Sequence, residues 1–135
     1  MRAEDIPFAK FVGIEESEEG VSLSYKKELN NHLETLHAGA QYTLAETASG
    51  LLLQELFPEL VGKVLPILRE SNIKYKKPAS KKIKALAKVD DAKKEKFSEQ
   101  FLKKGRALLE VSVALSDADN GMVALASFVW FVQAL

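Results

Sequence analysis

The chain has 135 residues, with 19 Lys plus Arg set against 19 Asp plus Glu, 47% hydrophobic residues and no cysteine. That length supports one substantial core, so residues 1–135 are expected to form a single domain. The zero formal net charge argues against a general nucleic-acid binder. The missing thiols exclude disulfides and thiolate metal sites and fit a cytoplasmic protein.

Met1–Gly13 carries Arg2, Glu4, Asp5 and Lys10 and no apolar run, unlike a signal peptide. Ile6–Ile14 reads as a short helix or turn on the core. Glu15–Gly20 reads as an acidic turn. Val21–Leu29 alternates, with Val21, Leu23 and Tyr25 on one face of a half-buried strand. Asn30–Leu36 then feeds the richest helical stretch, which runs to Leu56 and stops at Pro58. Its many alanines and leucines leave few polar positions, so the helix is expected at the centre of the fold. Tyr42, Glu46, Ser49, Gly50 and Leu53 recur at three and four and share one stripe. Gly50 within the helix predicts close approach by another backbone.

Val61–Lys77 is a strand region in which Pro66 predicts an edge or a bulge. Lys81–Val89 alternates again, with Ile83, Ala85, Ala87 and Val89 on one face. Asp90–Lys104 changes to a charged, partly amphipathic helical pattern ended by Gly105. Leu108–Leu115 is a strand, and Ser116–Gly121 is a hairpin turn closing on Asn-Gly. Met122–Leu135 is nearly continuous in apolar residues, which predicts burial on both faces and a place inside the sheet. It is too short to span a bilayer, so no membrane role is expected. A strand, a long helix and then four strands predict an α+β arrangement, one antiparallel sheet around one buried helix.

Asn31, then His37-Ala38-Gly39-Ala40, then Leu44-Ala45-Glu46, follow one another at spacings of six and nine. Asn72-Ile73-Lys74-Tyr75 before Lys77-Pro78-Ala79, and Asp117–Gly121 before Val123-Ala124, complete a pattern over almost the whole chain. This pattern resembles the hotdog-fold acyl-CoA thioesterases of the phenylacetate-pathway (PaaI-like) type. The resemblance implies a hotdog fold, with a five- to six-stranded antiparallel sheet wrapped around the central helix. It implies an acyl-CoA or acyl carrier protein substrate, a homodimer that can pair into a dimer of dimers, and no cofactor or metal. The chain departs from the pattern in four places, one of them the charged excursion Asp90–Lys104, which is longer than the usual turn. Ala38 replaces the first glycine of the pair, Glu46 stands for the commoner Asp, and the strand segment Leu68–Ser71 holds its serine away from the position where some members carry Ser or Thr.

Thioester hydrolysis needs a stabilised oxyanion and an attacking water or carboxylate. Free N–H groups of Ala38 or Gly39 at a helix start suit the first task. Glu46 suits the second, as base or nucleophile. Asn31 is a candidate to hold the carbonyl or the water, and His37 to shape the loop and helix start. Tyr42 and Ser49 are candidate substrate contacts, and Lys76 and Lys77 candidate contacts to CoA phosphates. His37 and Glu46 lie roughly 13 Å apart along one helix, so one chain cannot bring both to one carbonyl. The resemblance implies that Asn31, His37 and Ala38 of one protomer meet Glu46 of its partner. Plainer readings exist: a buried ion pair for Glu46, and a solvated edge for the lysines. A non-catalytic acyl or acyl-CoA binding module is the main functional rival, ahead of a dehydratase or a purely structural dimer.

Overall fold

The computed structural model describes residues 1–135. No helix is long and apolar enough to cross a membrane. A short helix α1 (Pro7–Val12) begins with proline at its first turn and ends on Gly13 at φ 97. Strands β1 (Ile14–Ser17) and β2 (Gly20–Leu23) form a small hairpin. The central helix α2 (Ala38–Leu56) follows, then β3 (Val64–Tyr75) and β4 (Ile83–Lys88). A third helix, α3 (Asp91–Lys104), leads into the long hairpin of β5 (Arg106–Asp117) and β6 (Met122–Ala134). The six strands form one antiparallel sheet in the order β1-β2-β4-β5-β6-β3. This is the hotdog fold that the motif order implies.

The sheet curls around α2 because the two have matching apolar faces. Leu44, Ala45, Ala48 and Leu51 of α2 are buried against inward residues such as Leu23, Ile83, Val111 and Val113. Alanines at three helical positions let strands come close, and each fully buried leucine or isoleucine contributes about 2 kcal/mol. Helix α3 is capped at both ends, by the Asp90 side chain and by Gly105 at φ 68. Of β5, only Ser112–Asp117 pairs with β4, and α3 packs on β5 where that pairing stops. Its Phe97 is buried against Phe57 and Phe101.

Four expectations are corrected. Glu15–Ser17 is strand, not turn, because it pairs with Gly20–Ser22, and the Glu16 carboxylate accepts the Ala3 N–H at 2.9 Å. β2 stops at Leu23, and Lys27–Leu29 forms a 3-10 turn, which leaves Tyr25 outside the strand. β6 does lie inside the sheet, between β5 and β3, but only its inner face is buried. Leu125 and Phe131 on the outer face keep partial exposure, since no second layer covers that face. Gly50 is approached by the Trp130 ring and not by a backbone: a Cβ there would meet it at 3.3 Å.

β3 occupies an edge of the sheet along all of its length, and Pro66 sits there without breaking an interior ladder. Its register with β6 shifts between Leu68 and Glu70. This bulge turns Arg69 outward, over the Phe131 ring at 4.2 Å, and turns Ser71 toward α2.

Candidate active site on the central helix

The site begins with the loop before α2. Asn31 organises it: its Oδ1 accepts the Leu33 and Thr35 N–H groups at 2.8 and 3.1 Å, and its Nδ2 donates to Thr35 Oγ1 at 2.9 Å. The His37 N–H donates to the Leu29 carbonyl and the Leu36 N–H to the Ala79 carbonyl, both at 2.7 Å. These bonds fix where the helix starts. Asn31 thus acts on the loop, with its carbonyl oxygen already in use.

His37 is the helix N-cap, and its Nδ1 accepts the Gly39 N–H at 2.8 Å. An accepting Nδ1 leaves the ring N–H on Nε2. The Ala40 and Gln41 N–H groups both donate to the His37 carbonyl. Of the four N–H groups at the helix start, only that of Ala38 has no partner in the chain, and Ala38 is exposed. Gly39 is therefore spent on the cap, and Ala38 is the donor left at the positive end of the helix dipole.

Glu46 lies two turns further on, about 12 Å from Ala38 along the axis. It is half-buried, and burial alone pushes its carboxyl above the ordinary carboxylate value. The three ion pairs of the chain are Arg2–Glu4, Lys77–Asp117 and Lys93–Glu110, so no cation neutralises it. The ion-pair reading of Glu46 fails on this observation. Neighbours on its stripe place it in the fold. Tyr42 Oη is 2.9 Å from Ser71 Oγ on β3, and Gly50 packs on Trp130 of β6. Trp130 pairs with Leu68 and Phe128 with Ser71. Glu46 accordingly lies level with the bulge between Leu68 and Glu70, near the open edge of the sheet.

Ser49 is fully buried, donates to the Glu46 carbonyl at 2.7 Å and accepts the Trp130 Nε1–H at 2.9 Å. It holds Trp130 in place and offers nothing to a substrate, so the substrate-contact expectation for it is corrected. Lys77 is bonded to Asp117 Oδ2 at 2.7 Å and ties the end of β3 to the β5–β6 turn. That bond, first among the causes, holds the Asp117 carboxyl below its usual value. Lys76 is exposed and forms no ion pair.

Three residues were given no role at the site by the sequence. Ser71 meets Tyr42 through a bulge that shifts strand alternation. Tyr75 donates to the Ala38 carbonyl at 3.0 Å, and burial, followed by the nearby Tyr42, raises its phenol. Trp130, the only tryptophan, walls the space beyond Glu46. Its place in the apolar final strand was the one signal available for Trp130.

Residues 9–132 match the family described as Domain of unknown function (DUF4442). The chain belongs to this family. No functionally curated protein matches it. Among solved structures, this DUF4442 chain is similar to a Pseudomonas aeruginosa protein of unknown function, PA5026, described as a probable thioesterase. The two share 21% identity and a TM-score of 0.82, over 98% of this chain and 91% of that one. The BH2602 protein from Bacillus halodurans, crystallised with CoA, shares 25% identity and a TM-score of 0.72, over 93% and 75% of the two chains. The thioesterase HI1161 from Haemophilus influenzae shares 18% identity and a TM-score of 0.74, over 95% and 83%. The shared fold is that of hotdog proteins, several of them named thioesterases.

Proposed function

We propose that this protein hydrolyses an acyl-CoA thioester to a free acid and CoA. The observation that carries the reading is Glu46: a carboxylate without a cation partner, raised by burial, on an otherwise apolar central helix. A raised proton affinity suits a general base near neutral pH. In the proposed reaction Glu46 takes a proton from water as the oxygen attacks the thioester carbon. The oxyanion forms against the Ala38 N–H of a second copy of the chain. Collapse breaks the C–S bond, and the departing thiolate takes the proton from Glu46. The hydroxyls of Tyr42 and Ser71 border the water's position, and Lys76 is the proposed phosphate contact. The neighbour crystallised with CoA supports the choice of carrier.

The site is proposed to be shared within a homodimer. The separation of Ala38 and Glu46 on one rigid helix requires it, and the unpaired β3 edge beside Glu46 offers the contact. Thiol release from a panel of short, long and aryl acyl-CoAs tests the reading, with Glu46→Gln in parallel. Turnover lost on substitution is the expected result. Turnover unaffected by it would remove Glu46 from the chemistry. Tight acyl-CoA binding without any turnover would favour a binding module.

A further inference from the structure

Beyond Glu46, α2 borders a cavity of about 650 Å³. Its walls come from the second half of α2, the loop after it, the start of β3, β6, α3 and the N-terminal segment before α1. Gly50, one turn after Glu46, and Trp130 lie at the end toward the carboxylate, while Phe57, Val64 and Phe97 lie farther along. The lining is almost wholly apolar and carries no charged side chain. The Trp130 N–H is occupied by Ser49, and the Gln54 amide donates to the Met1 carbonyl at 2.9 Å.

We propose that this cavity takes the tail of an unbranched aliphatic acyl group of about ten to fourteen carbons. This rests on the hydrolase reading above and names its substrate class. The length follows from the helix. Glu46 to Phe57 spans about 16 Å at 1.5 Å per residue. An extended chain advances about 1.2 Å per bond, by analogy with a polypeptide's three-bond repeat, which gives about thirteen bonds. The volume agrees: a methylene occupies about the 30 Å³ of a liquid water, so fourteen fit with room to spare. A two- to four-carbon acyl group would leave most of the apolar wall without contacts. A hydroxylated aryl group would bury its hydroxyl among apolar side chains, where the Gln54 amide is already bonded to the Met1 ammonium and carbonyl.

Two measurements test this on the full-length protein. The first compares kcat/KM for acetyl-, hexanoyl-, decanoyl-, tetradecanoyl- and phenylacetyl-CoA. Up to the filling length, each added methylene is expected to raise kcat/KM about fourfold at most. In Val64→Phe the decanoyl to hexanoyl ratio should fall about tenfold or more, as a ring replaces several methylenes. The second follows the fluorescence of Trp130, the only tryptophan, on titration with dodecanoate. A saturating change in the wild type, weakened in Val64→Phe, is expected. A saturating response without hydrolysis of any thioester would keep the cavity assignment and sink the hydrolase reading. Hydrolysis that favours acetyl- or phenylacetyl-CoA, with Trp130 silent to dodecanoate, would overturn the assignment and leave the hydrolase reading standing.

Discussion

Glu46 is expected to cost the fold stability at neutral pH, and such a cost would separate a functional carboxylate from a structural one. Burial raises its proton affinity in the folded chain above that in the unfolded chain. Between the ordinary carboxylate value and the raised one, the folded protein keeps a proton that the unfolded protein has released. This contribution is most favourable below the unfolded value and is lost as pH rises through the folded one. Glu46→Gln is therefore expected to raise Tm at neutral pH, with the difference vanishing toward about pH 4, where both states are protonated. Calorimetry across that range checks it; a lower Tm at neutral pH would reveal a stabilising partner. The same substitution should cut hydrolysis by about a hundredfold or more. Ser49, one turn away, is expected to behave in the opposite way. Ser49→Ala strands the buried Trp130 N–H and should cost about 1–3 kcal/mol in urea unfolding.

Among the elements, α2 was legible because its apolar residues, its following proline and its loop all agree on one boundary. Glu46 stood out for the same reason, as a charge in an apolar run. The β5–β6 hairpin was legible from Asn120-Gly121, and Asn120 does adopt φ 61. β1 was hidden, since a four-residue strand with two glutamates resembles a turn. The Tyr42–Ser71 pair was hidden by the bulge, because alternation counted from Ile73 says nothing about where a residue is inserted. The cap of α2 was legible only as a residue, His37, whose task needed coordinates. As a cap, His37 should contribute about 1 kcal/mol, lost in His37→Ala and largely kept in His37→Asn. Hydrolysis by His37→Asn should stay within severalfold of wild type. A loss of about a hundredfold in a folded His37→Asn would point instead to proton transfer by the imidazole.

At the scale of the whole molecule, a single chain leaves two features unfinished. β3 offers a 12-residue edge with Leu65 and Ile67 exposed, and such an edge invites pairing. The free N–H of Ala38 and the unpaired Glu46 lie on one helix, too far apart to meet. A two-fold pairing of chains is expected to answer both, since in a self-complementary contact a helix start that meets the partner's helix middle has its own middle met in return. Sedimentation should then give a dimer. Composite sites have a sharper signature. Ala38 is the first helical residue, where proline is tolerated, and His37 before it is extended at ψ 140. Ala38→Pro thus removes the one free donor with little strain, and should lower kcat by about a hundredfold or more. Glu46→Gln removes the proposed base in the other half. Each variant alone should be nearly inactive. Subunits exchanged between them at equal amounts form heterodimers in about half of the population, each with one intact site, which restores about a quarter of wild-type turnover. If one chain supplied both groups, every site in the mixture would lack one of them, and no activity would return.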